Sequence, residues 1–211
     1  NVVLADEINR APAKSQAALL EAMEEFQVTA DGVTHELPRP FFVIATENPI
    51  EFHGTYPLPE AQLDRFLVRL DIGYPTLEVE IDILKSHAHD EPLERIEPVL
   101  QLEQVRQLQQ EVADVHTDDN ILEYIVEIVH ATRRDNRLRL GVSTRGSLML
   151  SRAARARAFF QKRDFVIPDD VLWLVPYVLP HRILLASKAR HSGTTARQVV
   201  EDIVSRIKVP V

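Results

Sequence analysis

Apolar residues run without interruption through Val2-Val3-Leu4-Ala5 and end in two adjacent carboxylates, Asp6 and Glu7. An unbroken run of this kind suits a parallel strand buried on both faces. The acids then lie just past its carboxyl end, the edge at which open α/β sheets bind ligands. Phe41-Phe42-Val43-Ile44-Ala45 repeats the pattern and ends in Thr46-Glu47-Asn48-Pro49. Between the two runs, Leu19, Ala22, Met23 and Phe26 recur at helical steps, which predicts a helix over Ala13–Glu25 with Pro12 in its first turn. Gln27–Ala30 and Val33–Leu37 flank Asp31-Gly32, a strong hairpin signal. Pro38 and Pro40 stiffen the entry to the second apolar run. Beyond it, Ile50–Pro59 reads as a loop, Glu60–Phe66 as a short helix and Leu67–Leu70 as a further strand. Gly73-Tyr74-Pro75 is the best boundary in the chain.

The remainder reads as helical. Ile81 and Leu84 are in phase over Leu77–His89, and Asp90-Glu91-Pro92 breaks that helix. Leu102, Val105, Leu108 and Val112 mark a second helix. Ile121, Leu122, Ile125, Ile128 and Val129 mark a third, with Asp118 or Asp119 as its cap. Ser143-Thr144 caps a fourth that runs to about Lys162, where Ala153, Ala154, Ala156 and Ala158 permit close packing. Pro168-Asp169-Asp170 opens a fifth, with Trp173 at core spacing from Val171 and Val175, and Pro180 ends it. A last helix spans about Thr195 to Ile207. The chain thus divides into an α/β unit over 1–75 and a linker helix with an all-α unit over 76–211.

Composition narrows the class. Apolar residues make up 45% of the 211-residue chain, enough for a sizeable core, and the net charge of −8 argues against a general nucleic-acid coat. The chain has no cysteine, which excludes disulfides and thiolate metal sites. No apolar run is long enough to span a membrane and no signal-peptide pattern is present. A reduced, soluble, cytoplasmic protein is expected. His87-Ala88-His89 lacks a third ligand nearby and does not make a metal site.

The strand ends and the segments after them resemble one family closely. Val2–Glu7 resembles a Walker B strand, Asn48 a sensor 1 residue, and Arg65 in Leu63-Asp64-Arg65-Phe66 an arginine finger. The wording from Asp6-Glu7-Ile8-Asn9-Arg10-Ala11-Pro12, through Ala45-Thr46-Glu47-Asn48-Pro49, to Gly54–Phe66 resembles that of MoxR-family AAA+ ATPases. In Gly141-Val142-Ser143-Thr144-Arg145-Gly146, Arg145 resembles the sensor 2 arginine, although many relatives carry proline and alanine where Thr144 and Gly146 stand. The resemblance implies a P-loop NTPase core with a parallel sheet, followed by a helical lid. It implies a hairpin at 27–37 inserted before the sensor 1 strand, in a position where such hairpins can face a central pore. No Gly-x-x-x-x-Gly-Lys-Ser/Thr occurs, so the phosphate-loop half of the core is expected to lie outside this sequence. The rival is a domain that never carried one. The sequence as it stands is expected not to hydrolyse ATP.

The chemistry of nucleoside triphosphate hydrolysis asks for these residue types. It is mostly positioning and charge neutralisation. Asp6 would hold Mg²⁺, through water, because magnesium keeps several waters and takes one or two carboxylates. Glu7 would act as base on the attacking water. Asn48 would hold that water or the γ-phosphate, or else only hydrogen-bond the loop after it. Arg65 is a permanent planar cation suited to phosphate. Its alternative is a salt bridge with Asp64 or Glu60. Arg145 opposes a helix dipole, and a nearby anion would relieve it. The implied function is an ATP-hydrolysing motor or chaperone, a homo-oligomeric and most simply hexameric ring that remodels a client protein, possible partners being von Willebrand factor A domain proteins. The alternatives are a non-catalytic scaffold with a vestigial site and a magnesium-chelatase-like or helicase motor subunit. Residues 133–163 are unusually basic, which reads as a solvated face paired with acids elsewhere, as a subunit interface, or, as a weak third, as a nucleic-acid contact, since no aromatic residue interleaves until Phe159 and Phe160.

Overall fold

The computed structural model describes residues 1–48, 56–86 and 96–210. Strands β1 (Val2–Ala5) and β4 (Phe42–Ala45) pair in parallel, Val2 opposite Phe42 and Ala5 opposite Ala45. The expected parallel pairing is present, but burial on both faces is not. Val2 is 66% exposed and Phe42 59%. Among the described residues these two strands pair only with each other, and no helix covers Val2, Leu4, Phe42 and Ile44.

Between the strands lie helix α1 (Ala13–Glu25) and the hairpin β2 (Gln27–Ala30) and β3 (Val33–Glu36). The bounds of α1 follow its apolar spacing. Pro12 is its cap residue rather than part of its first turn. The hairpin turns on Asp31 and Gly32, both at positive φ (51° and 78°), as a tight two-residue connection requires.

Helix α2 is short, Glu60–Leu63. The expected strand at 67–70 does not form. Its backbone turns to the helical unit instead. Arg69 N–H donates to the Tyr177 carbonyl at 2.9 Å, and the Phe66 carbonyl accepts from Arg182 Nη2 at 2.5 Å. Polar groups of this segment are thereby satisfied without a sheet neighbour.

Helices α3 (Leu77–Ser86), α4 (Leu102–Ala113), α5 (Asp119–Arg134), α6 (Thr144–Phe160) and α7 (Pro168–Val178) come next. The expected extension of α3 to His89, its break at Asp90–Pro92 and the His87/His89 pair lie outside the described residues. A small ribbon, β5 (Leu138–Leu140) with β6 (Leu184–Leu185), was not legible in the sequence. Helices α8 (Ser187–His191) and α9 (Ala196–Ser205) complete the fold.

The core sits in the helical unit. Tyr124, Ile125, Ile128 and Val129 of α5 are at most 2% exposed and meet Leu150, Ala154 and Ala158 of α6 and Val171 and Val175 of α7. The alanines let α6 and α7 approach closely. Trp173, expected in this core, is 51% exposed. It lies under the Arg157 guanidinium, 4.0 Å from the ring centroid, and beside Tyr177. Much of the basic 133–163 stretch is paired within the chain. Arg137 meets Asp135 and Asp202, while Arg157 and Arg163 meet the buried Asp170.

Candidate functional site

The end of β1 and the end of β4 make one polar edge. Thr46 sits between the two acids: its hydroxyl donates to Asp6 Oδ1 at 2.6 Å and accepts from Glu7 N–H at 2.8 Å. Thr46 N–H donates to the Ala5 carbonyl and Ile8 N–H to the Thr46 carbonyl, both at 3.0 Å, which continues the strand pairing into the turn. Glu7 adopts a left-handed backbone, φ 48° and ψ 50°. A non-glycine residue in this region carries strain of about 1–2 kcal/mol. The strain is held because β1 has ended, the Thr46 hydroxyl just past β4 fixes the Glu7 N–H, and a 3-10 turn (Ile8–Arg10) begins at once. The two carboxylates take different partners, Asp6 the Thr46 hydroxyl and Glu7 the side chains of Asn48 and Arg10.

Among the described residues that carboxylate has two partners. Asn48 Nδ2 donates to Oε1 at 3.2 Å, and Arg10 Nε lies 3.0 Å from Oε2. Beneath it, Gln16 of α1 is 2% exposed and donates to the carbonyls of Ile8 at 3.2 Å and Tyr56 at 2.9 Å. Asn9 donates to the Asn48 carbonyl at 3.3 Å. So Asp6, Glu7 and Asn48 come together as the sequence suggests. Thr46, Arg10, Asn9 and Gln16 are additions that no spacing announced.

Arg65 and Arg145 form a second cluster. Both bind one carboxylate of α1: Arg65 Nη1 lies 2.7 Å from Glu24 Oε2, and Arg145 Nη2 lies 2.6 Å from Glu24 Oε1. The alternative partners of Arg65, Asp64 and Glu60, are not the ones it takes. Glu24 supplies the anion that Arg145 needs at the start of α6, and the two cations offset an acid at the negative end of α1. At 1.5 Å per residue, Gln16 and Glu24 stand about 12 Å apart along α1. The two clusters therefore occupy opposite ends of one helix.

Asp64 faces the other way, into the helical unit. Its Oδ2 accepts from Ser143 Oγ at 2.8 Å, and Oδ1 lies 3.2 Å from Arg182 Nε. The Arg182 side chain is 0% exposed. Burial pulls its guanidinium down to about 10 against the opposing pull of Asp64, with Arg145 adding to the fall. His181, next to it, is pushed down to about 4 by burial first and by the Arg182 charge second. Its Nε2 lies 3.0 Å from the Phe66 carbonyl and also contacts Arg182 Nη1.

Two glycines, one in the loop before α6 and one in its first turn, shape this corner. A Cβ on Gly141 would stand 2.7 Å from Arg133 Cα, and one on Gly146 would stand 2.3 Å from Val142 Cγ1 and 3.0 Å from Arg182 Cδ. No group of three or more His, Asp or Glu side chains among the described residues is placed to hold a metal on its own, and no described helix is long and apolar enough to cross a membrane.

Known proteins resemble this chain in sequence and in fold. Residues 1–68 match the family of ATPases associated with various cellular activities (AAA), and residues 130–203 match the AAA lid domain. YeaC of Bacillus subtilis (strain 168), an uncharacterized protein, is 54% identical over all of this chain and 66% of its own length. The chaperone MoxR1 of Mycobacterium tuberculosis is 40% identical over all of this chain and 58% of its own length. The chain thus spans about three fifths to two thirds of these relatives. A crystal structure from Cytophaga hutchinsonii, described as a candidate ATPase, superposes with a TM-score of 0.92 at 37% identity, covering 100% of this chain and 67% of that one. A parallel strand pair followed by a helical lid agrees with these matches, and the chain belongs to the MoxR family of AAA+ ATPases.

Proposed function

We propose that the protein to which this chain belongs is an ATP-hydrolysing machine that works as a ring, six-membered in its simplest form, and remodels partner proteins. The carrying observation is the separation of the two clusters. Glu7, braced by Asn48 and Arg10, stands at one end of α1, and Arg65 and Arg145 share Glu24 at the other. At about 12 Å along the helix, the arginines are poorly placed to reach a phosphate attacked beside Glu7 of the same chain. A neighbouring copy would use them.

Asp6 and the Thr46 hydroxyl form an all-oxygen donor set, which fits Mg²⁺ with its waters. Magnesium-bound ATP, when present, supplies the reactive phosphoryl group and partly neutralises its charge. The remaining work falls to this chain's residues. Glu7 would accept the proton of the attacking water on one carboxylate oxygen, while Asn48 fixes the carboxylate's direction. Arg65 and Arg145 leave Glu24 and donate to phosphate oxygens at a subunit boundary, where an arginine supplied in trans contributes roughly 10³–10⁵ in rate. Motion of the lid against the core would then be passed to a client, with a von Willebrand factor A domain protein as the kind of partner the family resemblance implies. The exposed 27–37 hairpin offers a contact surface for that client.

The test is steady-state ATPase activity of the full-length protein beside its Glu7→Gln variant, at concentrations spanning assembly. The expected result is activity that rises with protein concentration and disappears in the variant. Wild-type protein that assembles yet turns over no ATP would reject the motor and leave a scaffold with a vestigial site.

A further inference from the structure

We infer that Asp64 is a positioning residue, held by the buried Arg182, which keeps Arg65 and Arg145 in register as one unit. The inference rests on the proposed use of both arginines by a neighbouring subunit. Asp64 immediately precedes Arg65, yet its side chain crosses to the lid. Oδ2 accepts from Ser143 Oγ at 2.8 Å. That same hydroxyl caps α6, accepting from Gly146 N–H at 3.3 Å, and Arg145 lies in the first turn it caps. One carboxylate therefore ties the backbone of Arg65 to the start of the helix that carries Arg145.

Arg182 makes the tie rigid. It donates to the carbonyls of Asp64 at 3.3 Å, Phe66 at 2.5 Å and Leu67 at 3.4 Å, and also to that of Val178. Its Nε faces Asp64 Oδ1 at 3.2 Å, and neither of those two buried atoms has a hydrogen-bond partner among the described residues. A buried ion pair of this quality is a poor source of stability compared with apolar packing, and its better-attested use is to fix one arrangement against others.

The tie and the Glu24 contact do different work. Glu24 competes with phosphate for the same guanidinium groups, so it must release them when they engage a nucleotide. Asp64 touches neither guanidinium and is turned away into the lid contact. It can hold the two arginines at a fixed spacing throughout that exchange.

Subunit mixing in the full-length protein tests this. Asp64→Asn is expected to lower kcat ~10²-fold, the scale of a misplaced catalytic group, with KM little changed. Glu7→Gln is inactive by itself but carries intact arginines. An equimolar mixture of the two variants is expected to recover roughly a quarter of the wild-type rate per subunit, the random share of boundaries that join an intact Glu7 to an intact arginine pair. Arg65→Ala mixed with Glu7→Gln is the control. Recovery in the control without recovery in the Asp64→Asn mixture overturns the inference, and so does wild-type kcat in Asp64→Asn alone. A control that does not recover overturns the use of the arginines by a neighbour, and the inference with it. Should Asp64→Asn fail to fold, Ser143→Ala removes only the hydroxyl contact. It is expected to lower kcat ~10-fold and to recover on mixing in the same way. Wild-type kcat or no recovery in Ser143→Ala overturns the inference.

Discussion

Glu7 shows how much one backbone conformation can do. A carboxylate in the left-handed region is uncommon, and the surrounding hydrogen bonds over-determine it. The support from below is Gln16, whose amide holds the Ile8 carbonyl in the turn and the Tyr56 carbonyl of the segment that packs beside it. Gln16→Leu keeps the volume and leaves those two carbonyls without their donor. The expected cost is about 2 kcal/mol, read as a lower denaturant midpoint with an unchanged m-value. ATPase activity should fall further than stability alone explains, because the turn that aims Glu7 loses its floor. A variant as stable and as active as the wild type would show that water replaces the amide there.

At the scale of elements, close approach decides where the second cluster lies. Gly146 sits in the first turn of α6, against Val142 and the Arg182 stem. Alanine is ordinarily the better helix former by ~1 kcal/mol. Here its Cβ would meet a buried valine at 2.3 Å. Gly146→Ala is expected to destabilise by about 1–2 kcal/mol on balance. Adding Val142→Ala removes the colliding methyl, so the pair of substitutions should be non-additive in a double-mutant cycle. Strict additivity would mean that the two side chains do not meet. The same elements show what a sequence reveals. The strand ends and α1 were legible because each carries a local period or an abrupt apolar-to-polar change. The strand expected at 67–70 failed because apolar, β-prone residues found lid partners rather than a sheet edge. Trp173 failed because its cover is a cation, Arg157, which no apolar spacing reveals.

At the scale of the whole molecule, the junction between the α/β unit and the lid is polar and buried. Nothing local predicts it: Arg182 and the Asp64 carbonyl are 118 residues apart. The roles of Glu24 and Arg182, and the pairing of Asp64 with the lid, were invisible in the sequence for that reason, although Arg65 and Arg145 were not. This junction should also respond to pH through His181. Its ordinary value is 6.5, and the fold depresses it to about 4, through burial first and then the Arg182 and Arg69 charges, against the Phe66 carbonyl, which favours the proton. The unfolded chain therefore binds more protons than the folded one between those two values. The contribution is complete above about pH 6.5 and is lost as pH falls toward 4, by up to about 3 kcal/mol at 1.36 kcal/mol per pH unit. Asp135 and Asp202 are depressed below their ordinary 3.8, so their losses come at lower pH. Melting temperatures of the full-length protein should decline from pH 7 to pH 4.5, and His181→Gln, which cannot take up the proton, should flatten that decline. An equal slope in both proteins would mean that His181 takes up its proton as readily in the folded chain as in the unfolded one, and that carboxylates elsewhere set the acid limit.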